Sequence, residues 1–237
     1  MLSALCVLFM YLLFNDFSVD GHPQYYIFCI CSRIINFRVK REDRMATTIL
    51  SKEEVLARLA ETTTVRGEDL KGIDLSGANL SGCDFSRADL SGANLSKCNL
   101  TEARLHETNL QGADLSGADL SNAYLVASNL QGANVKGAKL VLAFLSGANV
   151  GGADFEDADL TNARIGVIRA SFPNDSGRAT SFRNADLSGA VVNATDFRGV
   201  DLRGARLAGT YLYEAKIRGA IIDKAQFGDA ITMAETY

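Results

Sequence analysis

Several residue types on which enzymes and metal sites depend are scarce in this chain of 237 residues. It contains no tryptophan, two prolines and only two histidines, His22 and His106. Two histidines leave little room for a multi-histidine metal site or for histidine-based catalysis. The formal net charge of -4 is too small to attract nucleic acid over the whole surface. Composition therefore argues against an ordinary metalloenzyme or a triad hydrolase.

The familiar signatures of catalysis and cofactor binding are also missing. The sequence has no GxGxxG, Walker, HExxH or paired CxxC motif. Aspartate is abundant, but it recurs at one position of a repeat, so neighbouring carboxylates carry no signal for acid-base catalysis. We therefore expect no enzyme activity, no cofactor and no metal.

The cysteines do not indicate a disulfide framework. Cys29 and Cys31 form a C-x-C pair without a second pair, which is weak evidence for metal, and Cys6 stands apart. Cys83 and Cys98 occupy repeat positions where alanine is usual, so we expect small buried thiols. A reducing, cytoplasmic compartment is the default, with a membrane-anchored or exported protein as the alternative if the apolar N-terminus is real.

The N-terminal region is apolar but does not match a standard targeting segment. Residues 1–14 form a run shorter than the about 20 residues of a transmembrane helix, and no lysine or arginine precedes it. A second run at 25–37 is interrupted by Arg33. An uncleaved membrane anchor, a poor signal sequence and translated upstream sequence are the three interpretations. The third is favoured because a segment typical of ordered protein opens at Met45.

That segment predicts a short helix. Ser51 and Glu54 have the spacing of a capping box, and Leu50 and Val55 that of a hydrophobic staple. An isolated helix of this length is marginal, so we expect its apolar face to dock on the element that follows.

From about residue 68 the sequence repeats every five residues, as in EDLKG, IDLSG and ANLSG. An apolar residue recurs from Leu70 to Ile165, and then in a shifted phase from Phe182 to Phe227. Such a period places successive leucines all around a helix and on alternate faces of a plain strand. A short extended piece followed by a turn fits, with leucine and the residue two before it inside, and glycine two after it in the bend. Single units cannot be stable alone, so they must stack.

The tandem A-[DN]-L-x-x pattern resembles the pentapeptide-repeat family over roughly residues 68–229. The resemblance implies an all-β fold, a right-handed quadrilateral β-helix with four pentapeptides per coil, here with a short N-terminal capping α-helix. The rod would be about 36 Å long at the usual spacing between strands. The expected organisation is an apolar extension at 1–44, a capping helix and lead-in at 45–66, a first repeat block at 67–165, an irregular break or loop at 166–181, a second block at 182–229 and a C-terminal cap or tail at 230–237.

With about four units per coil, outward residues twenty apart should stack in columns. Three columns consist mostly of Asp and Asn: Asp69, Asp89, Asn109, Asn129 and Asn149; Asp74, Asn94, Asp114, Asn134 and Asp154; Asn79, Asn99, Asp119, Lys139 and Asp159. The fourth differs and is the candidate protein-binding face: Asp84, Arg104, Tyr124, Phe144 and Arg164. Exposed aromatics beside arginine are typical of interface anchors. Equally open is the interpretation that the two rings shield one another, or that the break or the tail covers them.

Three functions are considered. The first is a non-enzymatic scaffold that binds an unidentified protein through a rod face. The second, suggested by family members that protect DNA gyrase, is a DNA-mimic inhibitor or protector of a type II topoisomerase; residues 66–165 carry 13 acidic and 8 basic residues, but residues 182–237 carry 7 of each. The third is a substrate adaptor. We also expect a homodimer through the C-terminal end, no direct nucleic-acid binding, and membrane contact only if residues 1–44 are an anchor.

Overall fold

The computed structural model describes residues 50–168, 170, 177–222 and 228–230, all within one compact unit, Ile49–Tyr237. No helix among these residues is both long and apolar enough to cross a membrane. Several predictions lie outside the described residues: those for 1–44, Cys6, Cys29, Cys31, part of the break at 166–181, Phe227 and most of the tail at 230–237.

Helix α1 spans Lys52–Thr62 and begins at the predicted capping box. The Glu54 amide donates to Ser51 Oγ at 3.2 Å, and the Ser51 amide donates to Glu54 Oε2 at 3.0 Å. Val55 and Leu59 are buried in the same apolar cluster as the first coil of the repeats. The predicted helix therefore docks its apolar face on the element that follows it.

The repeats form a solenoid with twenty residues per coil. Parallel bridges pair each outward residue with the one twenty positions later, from Thr64 with Asp84 to Phe144 with Arg164. Thr64 lies three residues before the predicted start of the first block. Each unit contributes one bridge residue, as in the pair Asp69 and Asp89, where the Leu70 amide donates to the Asp89 carbonyl at 2.8 Å. Within the described residues, all β-structure outside α1 consists of such single-residue bridges.

The interior is filled by the two inward positions of every unit. The central leucines, such as Leu90, and the alanines two residues earlier, such as Ala88, are almost fully buried. Larger side chains occupy the coils around the break, where the Phe155 and Phe182 rings stack at 4.7 Å and Phe197 meets Phe182 edge-on at 6.2 Å. Burying one large apolar side chain contributes about 1.5–3 kcal/mol. The buried side chains form one apolar cluster from Val55 to Leu212, so the stacked coils share one continuous core.

Two local features give the chain its period of five. The residue two after the central leucine takes a positive φ, 64° at Gly72 for example, which turns the chain into the next side. In addition, the outward Asp or Asn accepts a backbone hydrogen bond from the residue two further on, as Asp74 Oδ1 does from the Ser76 amide at 2.9 Å. The buried apolar residue, the Asx turn and the left-handed residue thus recur together.

The predicted break lengthens one coil by seven residues. Asp154 pairs with Ser181 and Arg164 with Val191, an offset of 27, and the offset returns to 20 from Ser181 onward. Seven residues equal the two-residue phase slip seen in the sequence plus one further unit. Thr180 closes this coil: its buried hydroxyl accepts from the Gly152 amide at 3.0 Å and has one proton to donate, with the Ala170 and Val150 carbonyls both within reach at 2.7 and 3.0 Å.

Candidate functional site: an aromatic column

The five residues of the candidate face lie in one column, called here the aromatic column: Asp84, Arg104, Tyr124, Phe144 and Arg164. Each is bridged to the next member in the neighbouring coil. The same column continues to Val191 and Tyr211. Sequence reasoning missed these two residues because they lie beyond the break, where the offset of 27 replaces 20.

The aromatic rings of the column are stacked along the solenoid. The Tyr124 and Phe144 centroids are 5.1 Å apart with an angle of 7° between the ring planes. The Arg164 guanidinium carbon lies 5.2 Å from the Phe144 centroid, and the His106 ring lies 5.7 Å from Tyr124 with a tilt of 35°. The order of the coils places Arg164 and His106 on opposite ends of the pair, so both outer ring faces are covered. The sequence pattern did not single out His106 for this contact.

The column is accessible, and apolar side chains border it. Tyr124 is 38% exposed, Arg104 and Arg164 are exposed, and Phe144 is half-buried. Leu142, on the turn before Phe144, is 47% exposed. A single exposed leucine is ordinary on a protein surface, so the stacked rings and the arginines are what distinguish this face.

The charged residues of the column differ in whether they have a partner of opposite charge. Among the described residues, neither Arg104 nor Arg164 forms an ion pair, whereas the nearby Arg87 binds Glu107 with 3.0 Å between Nε and Oε2. Partial burial raises the pKa of Asp84, but the Ser86 hydrogen bonds and nearby arginine charge outweigh it and leave that pKa below its ordinary value. Over the residues that the structure describes, the column therefore combines two arginines that form no ion pair with one carboxylate, Asp84. That carboxylate accepts the Ser86 amide at 2.9 Å, lies 3.8 Å from Arg66 Nη1 and is near enough to Arg104 to feel its charge.

The aromatic column also departs from the rule that stabilises the other three faces. On those faces the outward oxygen accepts the backbone amide two residues on, as Asn94 does from Ser96 at 3.1 Å and Asp119 from Ser121 at 3.0 Å. Neither the arginine side chain nor the two aromatic side chains carries a carbonyl oxygen that could make this bond. An intramolecular hydrogen bond contributes a net of about 0.5–1.5 kcal/mol. This face thus forgoes a stabilising contact in several successive coils.

The described residues offer little for metal or thiol chemistry. They contain no group of three or more His, Cys, Asp or Glu placed to hold a metal ion. Cys83 and Cys98 are buried as predicted, and burial raises the pKa of both thiols. Their chemistry gives no reason to place a reactive site in the interior.

Sequence comparison assigns the repeat to a family. The family model for pentapeptide repeats matches in eight copies, covering segments 69–106, 103–141, 138–166, 180–219 and 195–231, which together make up more than half of the chain. The chain belongs to the pentapeptide-repeat family. The resemblance noted from the A-[DN]-L-x-x pattern is thereby confirmed.

Solved structures similar to this pentapeptide-repeat protein come from several organisms. One is a pentapeptide-repeat protein of the Arabidopsis thaliana thylakoid lumen, with 37% identity over 40% of this chain and 66% of that chain and a TM-score of 0.39. A second is a trypsin-treated variant of QnrB1, a plasmid-mediated fluoroquinolone resistance protein, with 21% identity over 68% and 84% of the two chains and a TM-score of 0.46.

A third structure is HetL from the cyanobacterium Nostoc sp. strain PCC 7120, a pentapeptide-repeat protein involved in regulating heterocyst differentiation. It is 26% identical over 74% of this chain and 98% of that chain, with a TM-score of 0.23. No protein in the curated set matches this pentapeptide-repeat protein significantly.

Proposed function

We propose that this protein is a non-enzymatic scaffold that binds a protein partner through the aromatic column. The observation that carries the proposal is the stacked Tyr124–Phe144 pair beside two arginines that form no ion pair within the described part of the chain. It lies on the face where successive coils lack the outward Asp or Asn that stabilises the turns elsewhere. A loss of turn stability in several coils of one face is consistent with a role in binding.

The chemistry of the column suits a protein interface. Tyrosine and arginine are enriched among the residues that dominate binding energy. Stacking holds Tyr124 and Phe144 in place before binding, so little side-chain freedom is lost when a partner arrives. Family membership further leads us to infer that the coils are right-handed and quadrilateral, which makes this face one flat side of a rod.

The DNA-mimic alternative is less well supported by the charges. Many acidic side chains of the other faces are already neutralised: Lys71 Nζ lies 3.5 Å from Asp69 and 3.4 Å from Asp89, and Arg203 Nη2 lies 2.7 Å from Asp201. Others accept amide hydrogen bonds along their column, as Asp114 does from Asn134 at 2.9 Å. A duplex mimic needs rows of unpaired negative charge. The scaffold is therefore the function we favour, and a substrate adaptor would be one form of it.

The C-terminal end is the second contact surface that we propose, for association between two copies. Tyr211, Tyr213, Ile221 and Ile222, which lie in the last described coils, are 41–50% exposed. Such a concentration of apolar surface near the end of a solenoid favours contact with another chain.

A paired mutant experiment tests the partner-binding role. Tyr124→Ala with Phe144→Ala removes the stack, and we expect at least about a tenfold loss of the partner captured from native cells, as is usual when interface anchors are truncated. The control is Asn99→Ala with Asp119→Ala on another face, which removes turn hydrogen bonds of 3.1 and 3.0 Å and so costs fold stability. Partner capture that falls equally in both variants, or in neither, contradicts the proposal.

A further inference from the structure

The stacking of the column decides which atoms face outward. Tyr124 and Phe144 cover each other, Arg164 covers the far face of Phe144, and His106 lies against the far side of Tyr124. Side chains on a β-surface stand roughly perpendicular to it. The rings therefore present their edges, and Tyr124 its hydroxyl, to a molecule that approaches the rod from the side.

Those outward edges carry positive partial charge. An aromatic ring has a negative face and a positive edge, and both outer faces of this pair are already covered. Arg164 keeps its N–H groups available, because its guanidinium carbon lies over the Phe144 ring at 5.2 Å and the side chain forms no ion pair with the described residues. Arg104 stands one coil beyond Tyr124 and is exposed. The electrostatic complement of this surface is an anion with an apolar group beside it.

The separation of Arg104 and Arg164 sets how far apart two negative groups of a bound molecule should be. Arg104 and Arg164 are three coils apart, or about 14 Å at the usual separation of neighbouring strands. An extended peptide advances about 3.3 Å per residue, so four residues span about the same length. Two carboxylates at positions one and five of an extended segment would meet both arginines. The side chain at position three would lie over the edges of Tyr124 and Phe144.

We propose that the aromatic column binds an extended acidic segment of its partner, with two carboxylates four residues apart on either side of an apolar residue. This inference rests on the proposed function, since it names the partner chemistry of the same face. A single strand of nucleic acid is the competing anion, but bases bind such surfaces by stacking on open ring faces. Here those faces are covered by neighbouring side chains.

The test uses two labelled nine-residue peptides and the full-length protein. One contains Glu-Gly-Phe-Gly-Glu and the other Lys-Gly-Phe-Gly-Lys, each flanked by glycine and serine. We expect the acidic peptide to bind at least about tenfold more tightly than the basic peptide in fluorescence anisotropy. The affinity of the acidic peptide should fall as the salt concentration is raised. In NMR spectra, the Arg104 and Arg164 side-chain N–H signals should shift together. Equal binding of the two peptides, or no binding of either, overturns the inference.

Charge variants separate this contact from general attraction to a positive surface. Arg104→Gln with Arg164→Gln should weaken binding of the acidic peptide about tenfold, as expected for the loss of charged hydrogen bonds. Arg198→Gln with Arg203→Gln removes the same charge from arginines already paired with Asp196 and Asp201, and should leave binding unchanged. Equal weakening by both pairs contradicts the inference. Tighter binding of an oligothymidylate than of the acidic peptide would assign the column to nucleic acid instead.

The native partner distinguishes failure of this inference from failure of the proposed function. If Tyr124→Ala with Phe144→Ala abolishes capture while Arg104→Gln with Arg164→Gln leaves it intact, the face binds a protein but not through acidic groups. If neither pair affects capture, the proposed function fails as well. Loss of capture in both pairs, together with binding of the acidic peptide, supports both.

Discussion

At the scale of the residue, the repeat depends on one left-handed backbone position in each unit. Glycine fills it in many units, but other residues hold the same conformation, among them Glu107, Leu142 and Asn162 with φ of 55–60°. A left-handed conformation costs an ordinary residue about 1–2 kcal/mol, and asparagine less. The Leu142 side chain cannot hydrogen-bond to its own backbone, so nothing local offsets the cost of its left-handed conformation. This side chain is also 47% exposed, on the turn before Phe144.

We therefore predict that Leu142→Gly stabilises the protein. Relief of the left-handed strain, less the greater freedom of glycine in the unfolded chain, should raise the free energy of unfolding by about 0.5–1 kcal/mol. Urea denaturation measures the change. The reverse substitution, Gly137→Ala, is the control at the same turn position. No atom lies within 4 Å of the new Cβ, so this change should lower the free energy of unfolding through backbone strain alone. A destabilised Leu142→Gly variant would show that the leucine side chain stabilises more than its strain costs.

At the scale of the element, the sequence predicted whole columns of side chains because the period fixes the register. Tyr124 and Phe144 were expected to stack from their spacing of twenty residues, and the rings do so. The helix was equally visible, since Ser51 and Glu54 form a local capping motif. The spacing of the residues along the chain fixes the geometry of both features, so both can be predicted without knowledge of the tertiary structure.

Two other features, a contact made by a turn residue and the pairing across the break, could not be predicted from the period. His106 belongs to the turn rather than to the column, so its contact with Tyr124 depends on a side-chain direction that no period specifies. The break lengthens one coil by seven residues. The phase shift in the sequence indicated only two of them, because the other five make up a whole repeat unit and leave the phase unchanged. Only the structure shows that Arg164 pairs with Val191.

The lengthened coil gives a second prediction, for Thr180→Val. Valine matches the shape of threonine but removes the hydroxyl that accepts from the Gly152 amide and can donate to the Ala170 carbonyl; the Val150 carbonyl keeps the Ala153 amide at 3.0 Å. Buried polar groups left unpaired cost about 1–3 kcal/mol, and hydrogen exchange at the Gly152 amide should accelerate. Thr210→Val is the control, since that buried hydroxyl makes a single bond, to the Leu187 carbonyl at 2.8 Å. Equal effects of the two changes would mean that Thr180 does not close the coil.

At the scale of the whole molecule, the four sides of the solenoid differ in what they leave available. Three sides use their outward Asp and Asn to brace turns and to bond along the column, as Asn134 does to Asp114 at 2.9 Å. The fourth side stacks aromatic rings and arginine instead. Three sides thus stabilise the turns, and the fourth is the side to which we assign the proposed partner binding.

The exposed apolar residues near the C-terminal end lead to a prediction about assembly. Removal of residues 228–237 should change the mass measured by light scattering from that of a dimer to that of a monomer, because this end is the proposed contact between copies. Tyr211→Ser with Ile221→Ser, both at exposed positions, should act in the same direction without shortening the chain. A full-length protein that is monomeric at high concentration would contradict this prediction.

The role of the aromatic column is tested most directly by photo-crosslinking in native cells. Benzoylphenylalanine placed at Tyr124 retains an aromatic ring in the column, and the same group at the exposed Lys139 samples another face of the neighbouring coil. The account predicts a distinct protein crosslinked from position 124 and little or none from position 139. Equal crosslinking from both positions, or none from position 124, would contradict it.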